Sequence, residues 1–146
     1  MTFSEDDARF LRRAIELAVE ARARGDEPFG AILVHNGEIV MEARNAVHSD
    51  TDVTQHAETR LVSKACRSLP ADVVEDSTLY TSTEPCQMCS SAIHWARVPR
   101  VVFGYAARSL RTLVDDTSDI DPQAARYEGP LLADEAFAPH DGYWHS

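Results

Sequence analysis

Residues 78 to 105 pass from an apolar strand pattern to a helical pattern and back to a strand pattern, and few folds accommodate that order. Residues 78 to 82 and 101 to 105 are short apolar runs that are typical of buried strands. The segment between them, 86 to 96, has the spacing of a helix. A strand, helix, strand order requires a crossover that leaves the two strands parallel. This segment therefore predicts a sheet that is covered by helices.

The first 45 residues predict a helix followed by a strand hairpin. A helical pattern with a capping sequence spans residues 4 to 24 and stops at Gly25. Residues 30 to 34 and 38 to 43 then read as two strands, and the Asn36-Gly37 pair between them is a strong signal for a tight turn. Two strands joined in this way are antiparallel.

A second helical pattern and a weakly patterned C-terminal segment complete the chain. The helix carries Leu61 and Ala65 on one face and ends before Pro70. Beyond Arg108 the pattern weakens, and we expect residues 116 to 146 to be irregular. Taken together, these elements predict an α/β fold with three layers, α/β/α, and a mixed central sheet.

Length and charge limit the number of domains and the class of ligand. A chain of 146 residues with 44% hydrophobic residues suits one domain, residues 1 to 146, with a sizeable core. The formal net charge of −10, from 24 acidic and 14 basic residues, repels phosphate backbones. The charge disfavours nucleic acid as a partner without excluding it, and it favours a small-molecule substrate.

The N-terminus and the hydropathy pattern indicate where the protein resides. The first ten residues, MTFSEDDARF, lack the basic start and the apolar stretch of a secretion signal. No apolar run approaches the length needed to span a membrane. We therefore expect a soluble cytoplasmic protein without membrane contact.

The cysteines point to a metal site. Three cysteines are an odd number, and Cys86 and Cys89 have the spacing that places two thiolates in the first turn of a helix. With His56 they form a Cys2His set, which suits zinc and leaves one position open for water. The alternative is a purely structural zinc site, which needs a fourth ligand such as Cys66 or His94.

The two metal segments resemble a known family. His56-Ala57-Glu58 and the segment 85 to 89, Pro-Cys-Gln-Met-Cys, match the H-x-E and P-C-x-x-C motifs of the cytidine deaminase superfamily, whose members bind Zn²⁺. The resemblance covers about residues 8 to 110. It implies hydrolytic deamination of an aminated ring, in which Glu58 moves protons from the water to the ring and to the leaving amine.

The same resemblance implies substrate contacts and an assembly. Asn45 corresponds to an asparagine that hydrogen-bonds the substrate, and the backbone of Ala57 helps to line the pocket. Phe29 either packs in the core or faces the base. Members of this family form dimers or larger oligomers, so we expect a homodimer.

Within the superfamily, bacterial guanine deaminases are the most similar branch. Trp95 stands in a segment like the one that holds a tryptophan beside the substrate ring. Asp115-Asp116 resembles an acidic pair in which an aspartate recognises the substrate or relays protons. An aromatic residue near the C-terminus closes the site in that branch. Three aromatic residues could close the site here: Phe137, Tyr143 and Trp144. Of these we predict Tyr143. Guanine is therefore the favoured substrate, with cytosine and amino-triazines as alternatives.

Other interpretations remain open at this point. The tRNA adenosine deaminases share Asn45 and both metal motifs, but the acidic charge opposes RNA binding. A non-catalytic zinc-containing binding module is a further alternative, against which the retention of Glu58 argues. Trp95 fits a core position as well as a position in the substrate wall, and without the resemblance Asp115-Asp116 would be placed in a solvated loop.

Overall fold

A single mixed sheet with helices on both faces makes up the fold. The computed structural model describes residues 2–114 and 125–144. Its helices are α1 (Glu5–Ala23), α2 (Ala57–Ser68), α3 (Ala71–Val74), α4 (Gln87–Ala96), α5 (Ala107–Val114) and α6 (Ala133–Phe137), followed by a 3₁₀ turn at Ala138–His140. Its strands are β1 (Gly30–His35), β2 (Glu38–Arg44), β3 (Thr78–Thr83), β4 (Arg100–Tyr105) and β5 (Arg126–Glu128). None of these described helices has both the length and the apolar character needed to cross a membrane.

The strand order in the sheet is β2-β1-β3-β4-β5. Strand β1 runs antiparallel to both β2 and β3, whereas β3, β4 and β5 are parallel to one another. Between β1 and β2, Asn36 and Gly37 have positive φ angles of 50° and 76°, as the tight hairpin turn requires. The predicted hairpin and the predicted parallel crossover are both confirmed.

Alternate residues of the strands face two separate cores. On one face, Phe10 of α1 packs in a cluster with Ile32 of β1. On the other face, Leu61 of α2 and Ile93 of α4 share a cluster with Leu33 of β1. The three-layer α/β/α architecture predicted from the sequence is therefore confirmed, with α1 on one side of the sheet and α2 and α4 on the other.

The start of β1 lies directly against the backbone of α1. A Cβ atom added to Gly30 would stand 2.6 Å from Cβ of Leu17 and 2.7 Å from the backbone nitrogen of Ala18, well inside van der Waals contact. Glycine is the one residue that permits this approach. The contact fixes the position of Phe29, the residue that precedes the strand.

The described part of the C-terminal segment is more regular than predicted. Residues 116 to 146 were expected to be irregular, but strand β5 pairs with β4, and α6 and the 3₁₀ turn follow it. Helix α6 packs on β4 where Gly104 lacks a side chain, since a Cβ there would lie 2.6 Å from Cβ of Ala136. Elements this short produce no detectable periodicity and depend on tertiary packing. Helices α3 and α5 were likewise not predicted.

A buried ion pair joins α1 to the far edge of the sheet. Arg100 donates to both carboxylate oxygens of Asp7 at 3.1 and 3.2 Å and to Glu128 at 2.9 Å. The Tyr80 hydroxyl donates to Asp7 at 2.6 Å. Burial by itself would raise the pKa of Asp7, but the hydrogen bonds from Arg100, Tyr80 and the Ser4 backbone outweigh it and hold this pKa at about 2.

The stability contributed by Asp7 should depend on pH. Because folding lowers the pKa of Asp7 from 3.8 to about 2, its charge stabilises the folded state above about pH 4 and less as the pH falls towards 2. We expect Asp7→Asn to lower the free energy of unfolding by about 3 kcal/mol at pH 6. The difference from the wild type should shrink by about 1 kcal/mol at pH 3. Urea unfolding at both pH values measures this.

Asp6 provides the matched control for this experiment. Its side chain is 71% exposed and pairs with Arg9 on the surface. Such pairs contribute little to stability, so Asp6→Asn should change the free energy of unfolding by less than about 1 kcal/mol at either pH. A stability difference for Asp7→Asn that does not change with pH would contradict the assignment.

Candidate active site

Two helix starts bring three potential metal ligands together. His56 is the residue immediately before α2, Cys86 is the residue immediately before α4, and Cys89 lies in the first turn of α4. Nδ1 of His56 lies 3.5 Å from Sγ of Cys86 and 3.6 Å from Sγ of Cys89. All three ligand atoms lie within 4.8 Å of one another. The structure thus brings together the three side chains that the sequence analysis named as ligands.

The packing of α2 against α4 explains this arrangement. Leu61 and Ile93 from the two helices share one core, so the helix starts lie side by side. The hydroxyl of Thr59 lies 3.2 Å from Sγ of Cys89. Free backbone amides at helix N-termini favour negative charge, and both sulfur atoms lie at such an N-terminus.

Hydrogen bonds link the protonation of the three groups. The hydrogen bond between the two thiols lowers the pKa of Cys86 and raises that of Cys89. The hydrogen bond with Cys86 raises the pKa of His56, although burial opposes this. Thiolate sulfur and imidazole nitrogen are the ligands that zinc prefers, and three of them leave one position for water or substrate. The donor set therefore fits a zinc ion.

The structure does not supply the fourth ligand that a structural zinc site needs. Within residues 2–114 and 125–144, the group of potential ligands contains His56, Cys86 and Cys89 and no fourth side chain. Cys66 and His94, the two candidates from the sequence, are both exposed and do not join the group. The arrangement therefore favours an open coordination position.

Glu58 is a buried carboxyl group beside these ligands. Its exposed fraction is 6%, and its side chain lines the same cavity as His56 and Cys86. Burial is the main cause that raises the pKa of Glu58 to about 7, and the negative charge of Cys86 raises it further. A carboxyl group with this pKa both accepts and releases a proton near neutral pH.

A cavity of about 200 Å³ opens in front of these groups. Its lining combines candidate ligands, carboxyl groups and apolar rings: Glu27, Phe29, His56, Glu58, Thr83, Glu84, Cys86, Leu110 and Trp144. The ring centres of Phe29 and Trp144 lie 6.2 Å apart. The cavity therefore offers flat apolar surfaces and hydrogen-bonding groups next to the candidate metal ligands.

Among the predicted substrate contacts, Phe29 lines the cavity, but Asn45 and Ala57 lie behind its wall. Asn45 is fully buried, and its Nδ2 donates to Oε1 of Glu27 at 3.2 Å. Its Oδ1 accepts from the backbone of Glu27 at 3.3 Å and of Val47 at 3.0 Å. Asn45 therefore positions Glu27, and Glu27 is the side chain that faces the cavity.

The structure does not bring Trp95, a predicted substrate contact, to this cavity. Its side chain is 84% exposed, and it borders a different surface depression together with His94 and Pro99. On α4, Cys89 and Ile93 face inwards. Residue 95 lies on the other side of the helix because six residues correspond to about two thirds of a turn beyond one full turn.

The aromatic residue at the cavity is Trp144 rather than the predicted Tyr143. The Tyr143 ring packs edge-on against Trp144 at 4.7 Å, but Tyr143 is not one of the residues that line the cavity. Phe137, the third candidate, packs against Tyr105 instead. The predicted acidic pair Asp115-Asp116 lies outside the described residues.

Sequence reasoning missed several lining residues. Glu27 lies two residues before Phe29, and Thr83 and Glu84 directly precede Pro85. Their nearness to a predicted contact and to the P-C-x-x-C motif is the signal that could have identified them. Oε1 of Glu84 accepts the backbone N–H of Ala107 at 2.9 Å and so holds α5, which carries Leu110, at the cavity. The sequence contains no local pattern that predicts this contact across 23 residues.

Arg22 ties the C-terminal turn to α1. Its Nη1 donates to the carbonyl oxygens of Pro139 and Asp141 at 2.9 and 2.7 Å. The guanidinium also lies 5.8 Å from the ring centre of Tyr143. Arg22 therefore supports the segment that carries Trp144 to the cavity.

Removing these bonds should loosen the turn. We expect Arg22→Ala to speed amide hydrogen exchange in residues 139–144 by about tenfold, because hydrogen bonds from a charged donor contribute about 1.4 kcal/mol. The amides of Asp141 and Tyr143, both hydrogen-bonded within the turn, report the change in mass spectrometry. Arg24→Ala, at an exposed arginine on the same helix end, should leave the exchange rates unchanged. Equal exchange in Arg22→Ala and the wild type would contradict the anchoring role.

The sequence of this site matches one protein family. The family described as "Cytidine and deoxycytidylate deaminase zinc-binding region" matches residues 4–105, which include His56, Glu58, Cys86 and Cys89. The chain belongs to this deaminase family. The family match therefore covers the whole framework from α1 to β4.

Relatives in this deaminase family carry several substrate names. The chain is 42% identical to a probable cytosine deaminase of Schizosaccharomyces pombe, over 97% of this chain and 94% of that protein. It is 50% identical to a guanine deaminase of Bacillus subtilis, over 67% of this chain and 62% of that protein. A solved chain from a study of A-to-I editing by tRNA:A34 deaminases covers 90% of this chain and 99% of its own length, with a TM-score of 0.72 and 28% identity.

Proposed function

We propose that the protein is a zinc-dependent hydrolytic deaminase of a free nucleobase or a related aminated heterocycle, from which it releases ammonia. The observation that carries this proposal is the buried Glu58, which lines one cavity with His56 and Cys86, the two residues that form a potential ligand group with Cys89. A purely structural zinc site or a non-catalytic binding module has no use for a buried carboxyl group beside the ligands.

His56, Cys86 and Cys89 hold the metal in this proposal. When bound, zinc acts as a Lewis acid that makes water nucleophilic near neutral pH. Cys89 is buried and His56 and Cys86 are half-buried, and their position at helix starts keeps the three ligands preorganised for the ion. The described residues supply no further ligand to this group, so a water molecule and the substrate can reach it.

Glu58 moves the protons of the reaction. It accepts one proton from the attacking water and donates it to a ring nitrogen. It then takes the remaining proton of the added hydroxyl group and delivers it to the departing amine, which leaves as ammonia while the ring carbon becomes a carbonyl. Burial raises the pKa of Glu58 to about 7, so this carboxyl group can accept and release a proton near neutral pH. Its burial excludes bulk water from these transfers.

The remaining lining residues recognise the ring. Phe29 and Trp144 offer apolar faces to a flat heterocycle, and Glu27 accepts hydrogen bonds from its N–H groups. Asn45 holds the Glu27 carboxylate in place. These contacts suit a free base that enters the cavity as a whole.

Cytosine is the first candidate substrate and guanine the second. The similarity to the S. pombe probable cytosine deaminase includes the C-terminal segment that brings Trp144 to the cavity. The preference for guanine relied partly on Trp95, which lies away from the cavity. Adenosine in tRNA is the alternative, supported by the structural similarity to the tRNA:A34 deaminase chain. The net charge of −10 argues against RNA binding.

We also propose that each chain forms one domain and that two chains form a homodimer. Strand β5 lies beyond the family match, which ends at residue 105, but it belongs to the same sheet. This supports a single domain. Met88 and Trp95, seven residues apart on one face of α4, are 37% and 84% exposed, and such apolar stripes are typical of interfaces. Light scattering should give twice the 16.2 kDa chain mass, and a value of 16.2 kDa would contradict the dimer.

Ammonia release tests the proposed activity. The zinc-loaded protein is incubated with cytosine, guanine, adenine, their nucleosides, amino-triazines and a tRNA that contains an adenosine anticodon. We expect turnover of a free base, with cytosine as the best substrate. Activity on the tRNA alone would identify RNA as the substrate despite the acidic net charge, and no release from any compound would contradict the deaminase assignment.

A further inference from the structure

A chain of hydrogen bonds runs from the C-terminal turn into the wall of the cavity. Nε1 of Trp144 donates to Nδ1 of His140 at 3.1 Å. Nε2 of His140 lies 3.1 Å from the hydroxyl oxygen of Thr83, which lines the cavity. His140 and Thr83 are both 2% exposed, so water does not compete for these bonds.

The indole of Trp144 determines the tautomer of His140. An indole N–H is a donor only, so Nδ1 of His140 must present its lone pair. A neutral imidazole then carries its single proton on Nε2, and this N–H donates to the oxygen of Thr83.

His140 stays neutral in this environment. Burial and the nearby cation of Arg22 lower the pKa of His140 to about 4. The rings of Phe29, Tyr105 and Trp144 pack around the imidazole with centre distances between 5.4 and 6.3 Å. The single tautomer is therefore maintained near neutral pH.

The bond from His140 leaves the Thr83 hydroxyl hydrogen available. A hydroxyl group has one hydrogen to donate and two lone pairs that accept. Because the Thr83 oxygen already accepts from His140, its hydrogen needs an acceptor elsewhere. Within residues 2–114 and 125–144, the contact with His140 is the one hydrogen bond of the Thr83 hydroxyl, and Thr83 is one of the residues that line the cavity.

We propose that Thr83 is a specificity-determining hydrogen-bond donor of the cavity and that His140, held by Trp144, is the positioning residue that makes it one. The proposal rests on the proposed function and adds a substrate requirement to it. The ring must present an acceptor, a carbonyl oxygen or an unprotonated ring nitrogen, to Thr83. A ring with an N–H at that place would leave two donors facing each other, which is unfavourable in a buried site.

The tautomer is measured without any turnover. Nitrogen-15 NMR of the zinc-loaded, substrate-free protein at pH 7 should show His140 protonated on Nε2 and unprotonated on Nδ1. The signals are assigned by their absence from a His140→Gln variant. In Trp144→Phe, which keeps a ring but removes the donor, the preference for one tautomer should weaken. A wild-type His140 protonated on Nδ1 would overturn the proposal, whether or not the protein is a deaminase.

Kinetics test the donor. We expect Thr83→Val, which keeps the shape and removes the hydroxyl, to lower kcat/KM by about 10- to 100-fold. Thr83→Ser, which restores the hydroxyl, should stay within about threefold of the wild type. In a Trp144→Phe background, Thr83→Val should have a much smaller effect, since His140 can then accept the Thr83 hydrogen. A full activity of Thr83→Val, or equal effects of Thr83→Val in both backgrounds, would overturn the proposal.

Discussion

Glu58→Gln should lower kcat by at least about 10³-fold and leave the zinc content at that of the wild type. Glutamine has nearly the same shape as glutamate but cannot accept and release a proton at neutral pH. The position is 6% exposed and is not one of the three grouped ligands, so the substitution should preserve both the fold and the metal site. Steady-state kinetics with the substrate that the ammonia assay selects measures the loss.

The control for this prediction is Glu16→Gln, at a side chain that is 64% exposed on α1. It makes the same chemical change far from the cavity and should leave kcat within about twofold of the wild type. Metal analysis and circular dichroism of both variants separate a catalytic effect from a structural one. Wild-type turnover in folded, zinc-containing Glu58→Gln would rule out Glu58 as the proton carrier.

Cys86→Ala should abolish stable zinc binding. It leaves one thiolate and one imidazole of the three grouped ligands, and two protein ligands do not hold zinc against dialysis. We expect zinc occupancy after dialysis to fall by more than about tenfold, with a matching loss of activity and a lower melting temperature. Elemental analysis of the dialysed variant and the wild type measures this.

Cys66→Ala is the matched control because Cys66 is the remaining cysteine of the chain and is exposed on α2. It should keep full zinc occupancy and full activity. Full zinc occupancy in Cys86→Ala would show that Cys86 is not a ligand. Loss of zinc in Cys66→Ala would support a structural zinc site with Cys66 as its fourth ligand.

The sequence predicts those parts of the fold whose physical cause is local. Hydrophobic periodicity identifies α1, α2 and α4, and the Asn36-Gly37 pair identifies the hairpin, because the responsible residues are neighbours in sequence. Strand β5 has three residues, and α6 depends on the space above Gly104, a contact between distant segments. Elements of this kind have no hydrophobic periodicity that the sequence alone reveals.

The residues of the candidate site also differ in whether a local sequence motif identifies them. The two short motifs name His56, Glu58, Cys86 and Cys89, and the structure places these four side chains around one cavity or in the adjoining ligand group. In contrast, Trp95 was placed by resemblance, and helix rotation turns it outwards.

The bond between Thr83 and His140 spans 57 residues and joins two segments with no shared motif. No motif in the sequence around His140 marks it as a functional residue. Its role in the wall depends on Trp144, four residues later, and on Thr83 from the end of β3. Only the assembled fold brings these three side chains together.

Hydrolytic deamination is tested most directly by determining the source of the new oxygen atom in the product. The zinc-loaded protein is incubated with its best substrate in water enriched in ¹⁸O, and the product is analysed by mass spectrometry while ammonia is measured in parallel. Hydrolytic deamination predicts one ¹⁸O atom in each product molecule and one ammonia released for each product formed. A product without ¹⁸O, or product formed without ammonia, would contradict the assignment of this cavity as a hydrolytic deaminase site.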